Sequence, residues 1–310
     1  MKPDDTQLEE TSAPARRVPL TKPPKFAWPP RRMSAPTGCA SGQAAQGPVE
    51  LDRETTAWEV FEREWLGVST PPLRRRLADA RAAPDRIDAF CWRCARTVGP
   101  YETDAKGCSH CRGLRPPWNR FVRLAEYASP WDRIVQDVKF TRWPRLALDL
   151  GRVLGKQIAA AAPDLADRPT VVVPVPTSLW RRLERGTDHS LNIARGVARE
   201  LKLPLRELLA RSNRPEQAGL SRTDRYTNLS GSMRRSRLDR VWSKVGLGRK
   251  ATWPGNAGAG GARLIVIDDV STTGATMTET CRVARGICKH LQIKNLEIIC
   301  GVICRTEERR

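Results

Sequence analysis

One segment constrains the fold more than any other. Residues 263–277 read Arg-Leu-Ile-Val-Ile-Asp-Asp-Val-Ser-Thr-Thr-Gly-Ala-Thr-Met. The run Arg263–Ile267 is short, continuous and β-branched, the pattern of a strand buried on both faces of a parallel sheet. It ends in two acids, Asp268 and Asp269. A turn over Ser271–Thr276 then opens a helix expected from about Thr276 to His290. A parallel strand needs parallel neighbours and helical crossovers, and the flanking sequence supplies both. Phe121–Tyr127 alternates like a strand, Thr170–Val175 repeats the buried-strand pattern, and Leu296–Ile303 does so again. Helical spacing marks Trp131–Phe140, Arg145–Ala161 and Asp188–Leu201, the last with Asp188 as N-cap. This order predicts an α/β fold with an open, mostly parallel sheet and flanking helices. Arg211–Ser236 is polar and irregular, and Trp253–Gly261 is a Gly-rich loop.

The turn after Asp269 has the chemistry of an anion site. The first amides of a helix lack intrahelical partners and point toward the turn that precedes them. Gly274 lets the backbone approach a phosphate closely. Thr272, Thr273 and Thr276 add hydroxyls without adding charge. Asp268 and Asp269 can accept hydrogen bonds from two vicinal hydroxyls. A ligand with a phosphate at one end and a diol at the other is a ribose 5-phosphate. Two acids after a strand followed by a Gly-x-Thr turn also occur where a helix simply starts, so the joint match in type, order and spacing carries this reading.

These residues resemble the signature of the type I phosphoribosyltransferases. The resemblance implies that Asp268 and Asp269 hold the ribose hydroxyls. It also implies that Ser271, Thr272, Thr273, Gly274, Ala275 and Thr276 cradle the 5′-phosphate of phosphoribosyl pyrophosphate, with Mg2+ bridging the pyrophosphate to the diol. Upstream, Val173-Pro-Val-Pro-Thr177 leads into Arg181, Arg182, Arg185 and Gly186. This stretch is similar to the ComF family of late competence proteins, which join a zinc ribbon to an amidophosphoribosyltransferase-like domain. The similarity makes Pro176, Thr177, Arg181, Arg185 and Gly186 candidates for the pyrophosphate loop. It resumes at Arg214–Leu220 and Arg225–Gly231, where Gln217, Arg225 and Asn228 become candidates for the mobile loop over the site. The chain reads Thr187-Asp188-His189 where the family has Phe-Asn-Gln. Purine-salvage relatives carry an acid in the phosphate turn, and by alignment Thr272 stands in its place.

The other dense cluster is Cys91-Trp-Arg-Cys94 followed by Cys108-Ser-His-Cys111. Two thiols at C-x-x-C spacing reach one tetrahedral ion, and a second pair completes it. Cys91, Cys94, Cys108 and Cys111 are therefore candidate ligands of a structural Zn2+, the zinc ribbon that the resemblance also implies. A redox C-x-x-C is the alternative. Nine cysteines, an odd count unevenly spread, do not suggest a disulfide framework. Cys281, Cys288, Cys300 and Cys304 fall in apolar patterns and are expected to be buried thiols.

The division expected is a mostly disordered Pro/Ala/Arg-rich tail over 1–85, a zinc ribbon over 86–117 and a phosphoribosyltransferase-like domain over 118–310. A short helix near Thr56–Leu66 is the one ordered feature the tail suggests. No run reaches the about 18–20 apolar residues of a membrane span. The start has no apolar stretch of a secretory signal, so a cytoplasmic location is expected. Lys and Arg total 54 against 34 Asp and Glu, a formal charge of +20. That excess suits nucleic acid or phosphorylated ligands as partners, and equally a solvated surface and tail. Two functions stand side by side: an enzyme transferring a phosphoribosyl group to an acceptor, and a non-catalytic binding module serving DNA uptake or another nucleic-acid process. Oligomeric state is not written in these patterns.

Overall fold

The computed structural model describes residues 73–140, 144–178, 187–211, 231–236 and 261–306. The helix expected near Thr56–Leu66, most of the tail and nearly all of the Gly-rich loop lie outside the described residues. So do Arg181, Arg182, Arg185, Gly186, Gln217, Arg225 and Asn228.

The centre is a four-stranded, all-parallel sheet of β3 (Arg120–Glu126), β4 (Thr170–Pro174), β7 (Ala262–Ser271) and β8 (Leu296–Arg305), in the order β3-β8-β7-β4. The expected α/β class and parallel sheet are present. Its middle strands carry long apolar runs, as burial on both faces requires. Leu264, Ile265, Val266, Ile267, Ile298, Ile299 and Val302 are all fully inaccessible. Two antiparallel ribbons stand apart: β1 (Thr103–Asp104) with β2 (Gly107–Cys108), and β5 (Leu209–Arg211) with β6 (Met233–Arg235). The second pair lies at the borders of the stretch expected to be irregular. Three residues per strand are too few to show alternation, and Leu209 and Met233 enter the core instead.

The helices are α1 (Leu73–Asp79), α2 (Trp131–Phe140), α3 (Pro144–Ala161), α4 (His189–Leu201) and α5 (Ala275–His290). Consecutive residues of β8 show how two of them cover the sheet. A β-carbon on Gly301 would meet Ile158 of α3 at 3.0 Å, whereas Cys300 Sγ lies 3.6 Å from Cys281 Sγ of α5. Successive strand residues face opposite sides, so α3 and α5 cover opposite faces. α3 and α4 touch backbone to backbone. A β-carbon on Gly196 would sit 2.0 Å from Leu148 O, and one on Gly151 would sit 2.1 Å from Ile193 O. Leu73 and Leu77 of α1 are buried in the same core. The folded part therefore reaches upstream of residue 86, into the stretch whose composition suggests a tail.

α4 starts as its sequence predicts. The Asp188 carboxylate accepts from Leu191 N at 3.1 Å, and Lys202 closes the other end in a left-handed conformation. This capping fixes where the first turn of α4 lies against the end of β7.

Candidate functional site

β7 and α5 bring the acids and the turn together. β7 runs to Ser271, so Asp268 and Asp269 are strand residues near its carboxyl end rather than the residues that end it. Ligand crevices of open parallel sheets lie at that end. Val175 N donates to Ile267 O at 2.8 Å, which sets Pro176 and Thr177 beside the acids. Gly274 follows with φ 79°, a left-handed conformation that favours glycine. α5 then begins at Ala275, with Ala275 N meeting Thr273 Oγ1 at 3.3 Å.

The two acids are held differently. Asp268 Oδ1 accepts from Ser190 Oγ at 2.8 Å and from Asp269 N at 3.0 Å. Burial, with the Asp269 carboxylate as the next cause, raises the Asp268 pKa to about 7, against the lowering effect of Ser190, the Asp269 amide and Lys139. Asp269 Oδ1 takes Val270 N at 2.7 Å, and its Oδ2 lies 3.6 Å from Lys139 Nζ. Lys139 and Ser190 were not legible as site residues, because α2 and α4 carry them from distant parts of the chain. Ser190 had one faint signal, its place two residues after the N-cap Asp188.

The turn residues divide. Ser271 is buried, and its hydroxyl accepts from Arg305 Nη1 at 2.9 Å. Thr272 is exposed, Thr273 and Thr276 are half-buried, and Gly274 and Ala275 are buried. Thr272, Thr273 and Thr276 are thus the turn residues that keep solvent access. Of the upstream candidates, Pro176 is buried, and Thr177 Oγ1 donates to Asp188 Oδ1 at 3.2 Å. Asp188 thus holds both the start of α4 and the loop before it.

The four clustered cysteines form the other centre. Cys91, Cys94, Cys108 and Cys111 are buried, and their sulfurs all lie within 4.8 Å of one another. The pairs Cys91–Cys111, Cys94–Cys108 and Cys108–Cys111 are 3.7, 3.6 and 3.7 Å apart. Zinc–sulfur bonds of about 2.3 Å in a tetrahedron place sulfurs about 3.8 Å apart, so the cluster has the size of a four-cysteine zinc centre. Its backbone is shaped for this. Gly107 has φ 91°, and a β-carbon there would fall 2.6 Å from Cys111 Sγ. Cys108 N points at Cys91 Sγ at 3.4 Å. The crowded thiols divide their charge: the hydrogen bond with Cys94 drives the Cys91 pKa down to about 4, and burial, then the charge on Cys91, pushes Cys111 up to about 11. A divalent cation relieves that conflict by stabilising every thiolate. The arrangement fits a zinc ribbon, with four sulfurs close enough to hold one ion. His110 is exposed.

Among the described residues no helix is both long and apolar enough to cross a membrane. No protein-family model matches the chain. Competence protein F of Haemophilus influenzae is 25% identical to it over 201 residues, 63% of this chain and 78% of that protein. The DNA utilization protein YhgH of Salmonella typhimurium is 26% identical over 201 residues, 64% of this chain and 79% of its own length. YhgH of Escherichia coli K12 is 26% identical over 174 residues, 56% and 68% of the two chains. These relatives bear out the resemblance to the ComF family.

Proposed function

We propose that this chain binds phosphoribosyl pyrophosphate, or a related ribose 5-phosphate ligand, together with Mg2+ at the carboxyl end of β7. One observation carries the reading. A pair of acids near the carboxyl end of a buried parallel strand leads, through a glycine in left-handed conformation, into the first turn of α5. Amides at that turn and the hydroxyls of Thr272, Thr273 and Thr276 suit the 5′-phosphate. Asp268 and Asp269 suit the ribose diol. Mg2+ leans on substrate oxygens and retains waters, so it needs no protein cage of its own. Thr177 and the arginines after it suit the pyrophosphate, since a guanidinium binds phosphate oxygens in a planar fork. The cysteine cluster carries Zn2+ as a structural ion.

In the catalytic version of this reading, the bond from the anomeric carbon to pyrophosphate breaks as a bond to an acceptor nucleophile forms, and the acceptor gives up its proton. The protein contributes position and electrostatics. The relatives' names, competence and DNA utilization, support a second reading. In it the same site is a ligand-binding module and the chain works in DNA uptake or use.

Titration calorimetry of phosphoribosyl pyrophosphate with Mg2+ tests the shared premise. Wild type is expected to bind, and a D268N/D269N variant is expected not to. A folded, zinc-loaded wild type that binds nothing sinks the ligand assignment. Where binding holds, pyrophosphate release in an acceptor screen separates the enzyme from the module.

A further inference from the structure

The zinc ribbon is wired to the phosphate turn through one side chain, Trp118. Its indole Nε1 donates to Arg93 O at 2.8 Å, and Arg93 lies inside the first C-x-x-C knuckle. The far edge of the same ring reaches the turn: a β-carbon on Gly274 would lie 3.9 Å from Trp118 Cη2, an ordinary packing distance. A second path runs in parallel. Trp118 meets Phe121 edge to face, with ring centroids 5.3 Å apart and an interplanar angle of 78°. The Arg305 guanidinium sits 5.5 Å from the Phe121 centroid, and Arg305 Nη1 donates to Ser271 Oγ. The two paths end on Ser271, the last residue of β7, and Gly274, the residue before α5. The backbone around Trp118 is itself anchored. Arg285 of α5 donates to Pro117 O at 2.7 Å and to Asn119 Oδ1 at 3.1 Å. Asn119 pairs with Ile298 through both backbone and side chain.

We propose that Trp118 is a positioning residue, a strut that lets the folded zinc ribbon hold the Ser271–Gly274 turn in its binding conformation. The proposal rests on the phosphate-site reading for its consequence, but its mechanical part stands without a ligand. An aromatic ring suits the job, being rigid and carrying a polar handle at one end. The wiring gives a closed structural metal site a role at a distant ligand site: the knuckle that the metal shapes supplies the carbonyl that orients the ring.

The test uses the full chain, as wild type and as W118F and W118A variants. W118F removes the donor to Arg93 O and draws the ring edge back from Gly274 while keeping an aromatic ring in the core, and it guards against a W118A protein that fails to fold. Amide hydrogen exchange over residues 271–280 is read first, without ligand. W118F is expected to raise exchange there about tenfold, the worth of one neutral hydrogen bond, while residues 189–201 stay unchanged. Chelating the metal is expected to accelerate the same amides in wild type and to add little in W118F. Affinity for phosphoribosyl pyrophosphate with Mg2+ is expected to fall by a similar factor in W118F. Unchanged exchange in both variants, or chelation acting equally on wild type and W118F, overturns the strut. A wild type that binds no phosphoribosyl ligand sinks the site assignment instead and leaves the strut to be judged on exchange alone.

Discussion

Replacing Asp268 with Asn should stabilise the protein at alkaline pH. The carboxyl is held where charge is unwelcome, with burial and Asp269 together raising its pKa from 3.8 to about 7. In the unfolded chain the group releases its proton near the ordinary value, and in the fold it keeps the proton until near neutrality. Between those two values the native state binds more protons than the unfolded one, so this group makes stability fall as pH rises from about 4 to about 7. Each pKa unit corresponds to about 1.4 kcal/mol, which sets a ceiling of about 4 kcal/mol. Asp268 retains some exposure, and its titration is linked to that of Asp269, so about 2 kcal/mol is the working figure. Asn removes the charge and keeps the contacts, because Ser190 Oγ and Asp269 N both donate to the single oxygen Oδ1. Thermal unfolding followed by circular dichroism at pH 5 and pH 8 reads the effect. For a domain of this size, about 2 kcal/mol raises the midpoint by about 4–8 °C. The gain of D268N over wild type should be full at pH 8 and reduced to less than half at pH 5, since only the part that builds between about 4 and 5 is present there. An equal difference at both pH values refutes the argument that a buried charge is what strains this site.

The same electrostatics predict the effect of S190A. Removing the hydroxyl takes away a hydrogen bond that favours the ionised form. The pH at which phosphoribosyl pyrophosphate binding becomes half-maximal should then move upward by about one pH unit, read by calorimetry from pH 6 to pH 9. G196V tests the helix pair that positions Ser190. Its β-carbon would fall 2.0 Å from Leu148 O, a backbone atom that cannot yield without moving α3. A loss of about 3 kcal/mol is expected, visible as a lowered unfolding midpoint. A midpoint equal to wild type would show that α3 and α4 can separate at little cost.

What was legible in the sequence follows from how local each signal is. The buried strands, the helices α2 to α5 and the Asp188 cap were readable because each is written in consecutive residues, whereas the short α1 lay hidden in a stretch whose composition suggests a tail. The closeness of Asp268, Asp269 and the turn was readable because one strand–turn–helix unit carries them all, and that of the four cysteines because their spacing alone brings the thiols together. Lys139, Ser190 and Arg305 were not, since each reaches the site only once the sheet has assembled. Lys139 lies far upstream of Asp269 in sequence, and nothing in the pattern of α2 marks it apart from a surface lysine. Ser271 shows the opposite limit. Its place in the turn suggests a ligand contact, but its hydroxyl accepts from Arg305, a partner at the end of the neighbouring strand. The short β5–β6 pair escaped because three residues carry no period.

The edges of the sheet explain why the ribbon and the sheet behave as one unit. A parallel sheet of four strands leaves two edges with unpaired amides and carbonyls, which invite association with other chains. The β4 edge is covered by the segment after α4, where Val172 N donates to Pro204 O and Arg206 N donates to Val172 O, both at 2.9 Å. The β3 edge is covered from the other side of the chain. Phe121 N donates to Trp92 O at 2.8 Å, inside the first knuckle, and Asp85 N donates to Leu124 O. Between these contacts Arg123 turns inward and is only 1% exposed. Its guanidinium donates to Ala95 O at 2.9 Å and to Thr97 Oγ1 at 2.7 Å, and pairs with Asp85 at 2.8 Å. Every one of these partners lies on the stretch 85–97 that leads into and out of the first knuckle. A buried charge stripped of its partners costs about 3–5 kcal/mol, so the sheet cannot keep Arg123 inside once the knuckle opens. Opening of the cysteine centre should therefore be felt along β3 itself, which makes that centre part of the stability of the sheet and supports the proposed hold of Trp118 on the turn after β7.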